Sequence, residues 1–256
     1  MQPKTTVVRL GTRRQPEASR HAILQAALAE FALVGLSGAR MDAIAKAAGV
    51  NKALLYYYFH DKDALYGAVL DEFFARFLKR LTEALDRPAT VGERFLSYVR
   101  AHYDTVAESP HYARIFIGEM MNAGRGDSTH LERLFAHYLQ PISTRVLAVL
   151  QEGIDSGEFR PVEAAQFMPS AVGTIVHYFA VAPLLRKFRQ LDPFSTQALQ
   201  ERRAAVLDFA AAALFADRDA GIALAVRVAS RDDTSCTHSE ETVGPTHRGK
   251  SRRKHA

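Results

Sequence analysis

The stretch Arg40–Leu65 reads RMDAIAKAAGVNKALLYYYFHDKDAL, and its spacing determines the fold of the N-terminal part of this 256-residue chain. Two short helical segments flank Gly49, which can adopt the positive φ that a tight turn requires. Helices joined by so short a turn cross steeply, and small side chains are needed where their backbones approach. Ala45 and Ala48 supply those small side chains. The stretch therefore predicts a helix-turn-helix.

The second helix of this motif is expected to have a core face and an exposed face. At 100° per residue, Leu55 and Phe59 share one side, which suits the core. The exposed face has one cation, one small residue and two phenols, namely Lys52, Ala53, Tyr56 and Tyr57. A cation and hydroxyls bond phosphates, and small or apolar groups touch base edges, so this face suits a DNA major groove. In the alternative, the tyrosines only cover apolar surface.

Residues around this face complete a set of candidate DNA contacts. Asn51 is expected to cap the second helix, whose N-terminus favours a phosphate. Lys62 opens the following helix close enough for another phosphate contact. The candidate DNA-contacting residues are Arg40, Asn51, Lys52, Ala53, Tyr56, Tyr57, Tyr58, His60 and Lys62.

These residues resemble the N-terminal signature of the TetR/AcrR-type transcriptional regulators, roughly I-A-x-x-A-G-V-[SN]-x-x-x-L-Y-x-Y-F-x-x-K-x-x-L. The matching residues are Ile44, Ala45, Ala48, Gly49, Val50, Asn51, Leu55, Tyr56, Tyr58, Phe59, Lys62 and Leu65. The resemblance covers residues 17–66, and the helical remainder is similar in architecture only. It implies a homodimer, a palindromic double-stranded DNA operator, and repression relieved by a small molecule in the C-terminal domain.

The chain departs from that signature at two places. Arg40 stands where the family usually has a Ser or Thr that caps the helix, and it adds a possible phosphate contact. Ala53 and Leu54 replace the common Gly-Thr pair. Base preference is therefore left open, since Leu54 either meets a thymine methyl or faces inward.

The apolar periodicity predicts an all-α protein: an N-terminal three-helix helix-turn-helix domain plus a C-terminal helical bundle for ligand binding and dimerisation. After the helix-turn-helix, helical patterns cover residues 61–86, 91–107, 110–122, 129–155, 162–190 and 195–217. The predicted segments are a flexible basic arm (1–16), the helix-turn-helix domain (17–66), the ligand-binding and dimerisation domain (67–217) and a mostly disordered tail (218–256).

Charge is distributed unevenly along the chain. Residues 1–66 carry a net charge of +4, residues 67–216 carry −1, and residues 217–256 carry +2. A basic end joined to a near-neutral middle predicts that the N-terminal part meets a polyanion.

Cysteine content and apolar run length indicate the compartment. Cys236 is the one cysteine, so no internal disulfide can form, which favours a reducing compartment. The longest apolar stretch, Ala171–Leu185, has 15 residues and is shorter than the roughly 20 of a membrane span. No signal-peptide core is apparent at the N-terminus. We therefore expect a cytoplasmic protein with no membrane partner.

The region 91–178 is rich in Phe, Tyr, Met and His, which line pockets for apolar ligands and also fill helical cores. The candidate ligand contacts are Tyr98, His102, Phe116, Glu119, Met120, Tyr138 and His177. No metal-ligand spacing, phosphate loop or nucleophile motif occurs, so no metal, cofactor or catalysis is expected. The alternative is an all-helical small-molecule enzyme or binding protein with no DNA role.

The last two predicted helices are rich in alanine and can pack closely around a two-fold axis as a four-helix interface. Ala210 and Ala213 are the positions expected to face the partner copy. Alanine-rich helices also occur inside monomeric bundles. The helix over 61–86 is the long connector between the domains, and it is expected to carry the displacement that a ligand causes.

Overall fold

A computed structural model describes residues 14–123, 129–189 and 192–231, and it is helical nearly throughout these residues. An isolated β-bridge joins Phe159 to Phe215. The helices are α1 (Arg14–Gly38), α2 (Met41–Ala47), α3 (Lys52–Tyr58), α4 (Lys62–Asp86), α5 (Val91–Glu108), α6 (Pro110–Ala123), α7 (Thr129–Leu134), α8 (Gln140–Asp155), α9 (Ala164–Arg189), α10 (Thr196–Leu214) and α11 (Arg218–Ala229). One π-helical segment, Phe135–Leu139, joins α7 to α8.

Helices α1 to α3 form the predicted helix-turn-helix domain. Ile44 and Leu55 are fully buried, and Phe31 of α1 is 2% exposed, so the apolar side of each helix contributes to one core. Gly49 has a φ of 67°, which confirms the turn predicted for a residue without Cβ. The N-terminal architecture expected from the sequence is therefore present.

Helix α4 runs from this domain into the C-terminal body. Asp61 caps it by accepting a hydrogen bond from the backbone of Ala64 at 2.7 Å. Three phenylalanines of α4, Phe73, Phe74 and Phe77, are buried in the body. Because α4 packs against α1 at one end and against α5 and α8 further along, it contributes to the cores of both domains.

The end of the body remote from the DNA-binding domain is built on two aromatic rings and three glycines. Phe159 and Phe215 pack edge to face with their centroids 5.1 Å apart. A Cβ added to Gly92, Gly153 or Gly221 would lie closer than 3.0 Å to atoms of one of these rings. Only glycine therefore allows α5, α8 and α11 to approach the rings this closely.

The structure differs from the sequence predictions at both ends of the described chain. Helix α1 begins at Arg14, inside the predicted arm, and it continues past Gly35, where φ is 72°, to Gly38. Residues 218–229 form α11 where a tail was predicted, because Asp217 caps the helix and Leu224 and Val228 are buried. The remainder of the predicted arm and tail lies outside the described residues.

Two helices pass a length and composition test for membrane spans, although the sequence predicted no such segment. They are Pro16–Gly38 and Ala164–Phe188, of which 33% and 22% of the most apolar window is buried. The apolar side of α1 forms the helix-turn-helix core, as Ile23, Leu24 and Phe31 show. The apolar surface of α9 is largely uncovered in the single chain.

Candidate nucleic-acid interface and effector region

Helix α3 presents the face that its sequence predicted. The Asn51 side chain accepts a hydrogen bond from the backbone of Leu54 at 2.7 Å, which confirms the predicted cap. Leu55 points into the core, whereas the rings of Tyr56 and Tyr57 are 39% and 79% exposed. Ala53 is exposed beside them. The arrangement gives a short helix with a buried anchor and a polar, aromatic outer side.

Lys52 is paired with a carboxylate that sequence reasoning missed. Its ammonium lies 2.7 Å from Asp42 of α2, and both side chains are more than half exposed. The hydrogen bond between them lowers the pKa of Asp42 and raises the pKa of Lys52. The ammonium also lies 5.9 Å from the centre of the Tyr56 ring. The charge of Lys52 is therefore offset by Asp42 when no DNA is present.

Two of the predicted contacts hold the domain together through backbone carbonyls. The Tyr58 hydroxyl donates to the carbonyl of Pro16 at 3.0 Å, which fastens α3 to the start of α1. The Lys62 ammonium donates to the carbonyls of Ser37 and Ala39 at 3.0 and 3.2 Å. It thereby caps the link between α1 and α2, and its phosphate contact stays a prediction.

The other two predicted contacts are exposed at the edges of the domain. Arg40 precedes α2 with an exposed side chain that makes no cap, and its backbone N–H donates to Glu30 at 3.3 Å. Helix α2 begins at Met41 although no Ser or Thr caps it. His60 is exposed between α3 and α4, and Leu54 is half-buried.

Of the ligand candidates, Tyr98 and His102 lie deep in the body on α5. His102 is 6% exposed, and its ring packs edge to face on Phe77 at 4.9 Å. Its Nδ1 atom is buried with no hydrogen-bond partner in the described residues. Burial lowers the pKa of His102 to about 4, so the ring is neutral at pH 7. A buried polar atom without a partner is uncommon in a native protein.

Glu119 is buried and paired. The Tyr66 hydroxyl of α4 donates to its Oε1 at 2.6 Å. Burial, and then the hydrogen bond to Glu119, raise the pKa of Tyr66, so its hydroxyl keeps its proton. Tyr66 also packs edge to face on Phe31 of α1, with centroids 4.9 Å apart. The pair therefore connects α6 to the core of the DNA-binding domain.

The remaining ligand candidates do not form one cluster. Phe116 is half-buried with its centroid 5.8 Å from Phe74, and Met120 is 55% exposed on the same helix. The Tyr138 hydroxyl donates to Asp71 at 3.0 Å. His177 is exposed on α9, so the structure does not bring it to the buried Tyr98 and His102. The helical pattern of the sequence gave no signal for which side of α9 faces the body.

The outer surface of α9 and α10 is apolar. Between 164 and 185 the chain has no Asp, Glu, Lys or Arg. Phe188 is 75% exposed, Leu184 is 54% exposed, and Phe209 of α10 is 48% exposed. Ala210 is 2% exposed because it faces the protein's own core, so its prediction as a partner-facing residue is wrong. Phe209, one residue earlier, has the outward position instead.

Among the described ranges 14–123, 129–189 and 192–231, no group of three His, Cys, Asp or Glu side chains is placed to hold a metal ion.

A steep pair of short helices with an exposed cation and phenols, mounted on a helical body, defines a helix-turn-helix transcriptional regulator. The profile described as "Bacterial regulatory proteins, tetR family" matches residues 23–69, and that of the "Tetracyclin repressor-like, C-terminal domain" matches residues 93–209. The regulator RutR of Escherichia coli K12 is 30% identical over 173 residues, 66% of this chain and 78% of RutR. The chain belongs to the TetR family.

Other known proteins agree with this assignment. The repressor SCO4008 of Streptomyces coelicolor is 29% identical over 180 residues, which cover 68% of this chain and 84% of SCO4008. Among solved structures, PfmR of Thermus thermophilus has a TM-score of 0.57 at 20% identity, covering 72% of this chain and 94% of PfmR. FadR of Bacillus halodurans has a TM-score of 0.56 at 20% identity, covering 73% and 94%. These structures share the fold.

The Lys52–Asp42 pair makes a prediction about salt dependence. Lys52→Gln is expected to weaken DNA binding and to lower the slope of log affinity against log salt by about 0.9, the value for one phosphate contact. Asp42→Asn is expected to strengthen binding to random-sequence duplex, because Lys52 no longer has to leave a carboxylate. Fluorescence anisotropy at several salt concentrations measures both. An unchanged slope in Lys52→Gln would remove Lys52 from the phosphate contacts.

Proposed function

We propose that this protein is a cytoplasmic, homodimeric repressor that binds a palindromic operator and is released from it by a small apolar or aromatic molecule. The observation that carries DNA recognition is the exposed side of α3, where Lys52, Tyr56 and Tyr57 surround the small Ala53. An α-helix of this kind fits the major groove and reads base edges with its small and apolar groups. Relatives named as repressors support repression over activation.

Selection from a random-sequence duplex pool tests the DNA-binding part. The expected product is a palindrome whose half-sites are centred about 34–36 Å apart or a multiple of that. Tyr57→Ala is expected to relax base preference, whereas Leu147→Gln on α8, whose side chain is 42% exposed, is a control that leaves it unchanged. Footprinting on the promoter of its own gene then locates the site. Protein that selects no duplex would favour the alternative of an enzyme or binding protein with no DNA role.

The outer surface of α9 and α10 supports the dimer. A helix that is apolar around most of its circumference needs a cover, either from its own protein or from a partner. On α9 the small residues Ser170 and Gly173 and the apolar Leu184 lie along the uncovered side. An added Cβ at Gly173 meets nothing within 4 Å in the single chain, so another helix has room to approach there. A two-fold pairing of both helices covers this surface.

His102 supports control by a ligand, and it makes a stability prediction. Because its Nδ1 atom is buried without a partner, His102→Leu is expected to stabilise the protein by about 1 kcal/mol. This raises Tm by about 2–4 °C for a chain of this size. The same variant is expected to lose its response to an effector that supplies the missing hydrogen bond. Thermal unfolding by circular dichroism measures the first effect, and a lower Tm would show that Nδ1 is already satisfied in solution.

A further inference from the structure

An open groove lies between α6 and the segment formed by α7 and the π-helix. Its volume is about 510 Å³, within the range that drug-sized ligands occupy. We call it the α6–π groove, and its lining residues are Phe116, Met120, Leu131, Glu132, Phe135 and Leu139. Met120 and Phe135 are each 55% exposed. Two large apolar side chains so exposed at one groove indicate a site that binds something apolar.

The charges at the groove restrict what it accepts. Glu132 is the one charged residue in the lining. The adjacent cation, Arg133, donates two hydrogen bonds to Asp71, at 2.8 and 2.6 Å, so its charge is already compensated. A carboxylate or phosphate in the groove would lie near Glu132 without a counter-charge. An uncharged or cationic apolar molecule fits this lining.

The other side of the same segment holds α4. Arg133 and Tyr138 both donate to Asp71, and His130 lies 2.9 Å from Asp63. We call these contacts the α4 clamp. Gly67 of α4 lies beneath them, since a Cβ there would be 3.2 Å from the Arg133 guanidinium. The clamp therefore grips the part of α4 nearest the DNA-binding domain.

The groove and the clamp share one backbone. Phe135 faces the groove while Arg133 and Tyr138 face α4, so displacement of this segment moves both. The segment includes the π-helical stretch Phe135–Leu139, and π-helical turns often occur at functional sites. At the floor of the groove, Phe116 packs on Phe74, which gives a second contact with α4.

We propose that the α6–π groove binds a small apolar molecule without negative charge, and that its occupancy is transmitted to α4 through the Arg133–Asp71 pair of the clamp. This inference rests on the proposed function, because it assigns the effector class and the transmitting residues for the same regulation. Packing of a ligand against Phe135 displaces the segment and changes the position of α4. The DNA-binding domain follows α4.

Dye binding to the full chain tests the groove. Nile red is the uncharged apolar probe, and anilinonaphthalene sulfonate is the anionic one. Nile red is expected to bind more tightly than the sulfonate, and the double variant Met120→Gln/Phe135→Gln to weaken Nile red binding about tenfold through lost apolar contact. The matched control is Leu147→Gln, an exposed apolar residue away from the groove, which keeps the affinity. Equal Nile red affinities in the double variant and the wild type would overturn the site.

DNA binding tests the transmission. Nile red is expected to weaken wild-type binding to the selected duplex by a factor of about 5 to 150. In Asp71→Asn the dye still binds but leaves DNA affinity unchanged. The matched control is Asp86→Asn, which removes the 3.4 Å ion pair between α4 and Arg145 of α8 and retains the response. A response retained in Asp71→Asn, or absent in the wild type, would overturn the clamp.

Two readouts separate failure of this inference from failure of the proposed function. DNA binding without dye is measured for every variant, and its absence in the wild type counts against DNA recognition. Dye binding is measured without DNA. Nile red affinity that falls as protein concentration rises would assign the groove to contact between two copies of the chain, which overturns the small-molecule site.

Discussion

Gly153→Ala is expected to lower the stability of the protein more than any surface change considered above. The added methyl group would overlap the ring of Phe159, which is 1% exposed and has no empty space to enter. Overpacking of this kind costs about 1–3 kcal/mol, and expulsion of a buried phenylalanine costs about 3–5 kcal/mol. A loss of about 3 kcal/mol corresponds to a Tm lower by about 6–12 °C for this chain length.

Gly118→Ala is the matched control for that change. Gly118 lies inside α6, and an added Cβ meets nothing within 4 Å, so the variant is expected to gain up to about 1 kcal/mol from helix propensity. Thermal unfolding followed by circular dichroism compares the two variants with the wild type. Similar Tm values for both variants would mean that the ring of Phe159 moves aside at little cost.

Phe209→Glu combined with Gly173→Glu is expected to convert the dimer to monomers and to remove most operator affinity. Both positions lie on the uncovered surface of α9 and α10, and a charge there would be buried between two copies without a counter-charge. Two linked DNA-binding domains bind two half-sites about 10²–10⁴ times more tightly than one. Operator affinity is therefore expected to fall by a factor of about 100 or more.

Sedimentation velocity measures the assembly state of this double variant, and anisotropy measures its operator affinity. Leu147→Glu is the control, because it places a charge on an exposed apolar position of α8, outside the proposed interface. Circular dichroism confirms that both proteins are folded. A double variant that sediments as a dimer with wild-type affinity would place the interface elsewhere.

The sequence predicts the helix-turn-helix well because its determinants are local. Gly49 and Leu55 act within a few residues of their neighbours, so spacing alone assigns one to the turn and the other to the core. The partners of Tyr58 and Lys62 are backbone carbonyls 42 and 25 residues away in the chain, and no local pattern reveals them. Asp42 is missed for a similar reason, since the angle between α2 and α3 brings it to Lys52.

The C-terminal body is less predictable because several of its helices lack a distinct polar face. On α10, alanine occurs on both the inner and the outer side, so the sequence did not distinguish Ala210 from Phe209. The π-helical segment follows from the packing of Arg133 and Tyr138 against α4 rather than from any residue type within it. The aromatic content of the region predicted a ligand, but it did not separate the buried His102 from the exposed His177.

The two hydrogen bonds that Lys62 donates to the α1–α2 link have a geometric consequence for DNA recognition. Because they join the first residue of α4 to the helix-turn-helix, rotation of α4 moves α3 with no intervening slack. Helix α4 has 25 residues, which at a rise of 1.5 Å per residue gives about 37 Å. A tilt of about 5° around its far end shifts the near end by about 3 Å, close to the 3.4 Å between successive base pairs. An angular change smaller than the scatter among helix crossing angles is thus enough to move the recognition helix by one base step.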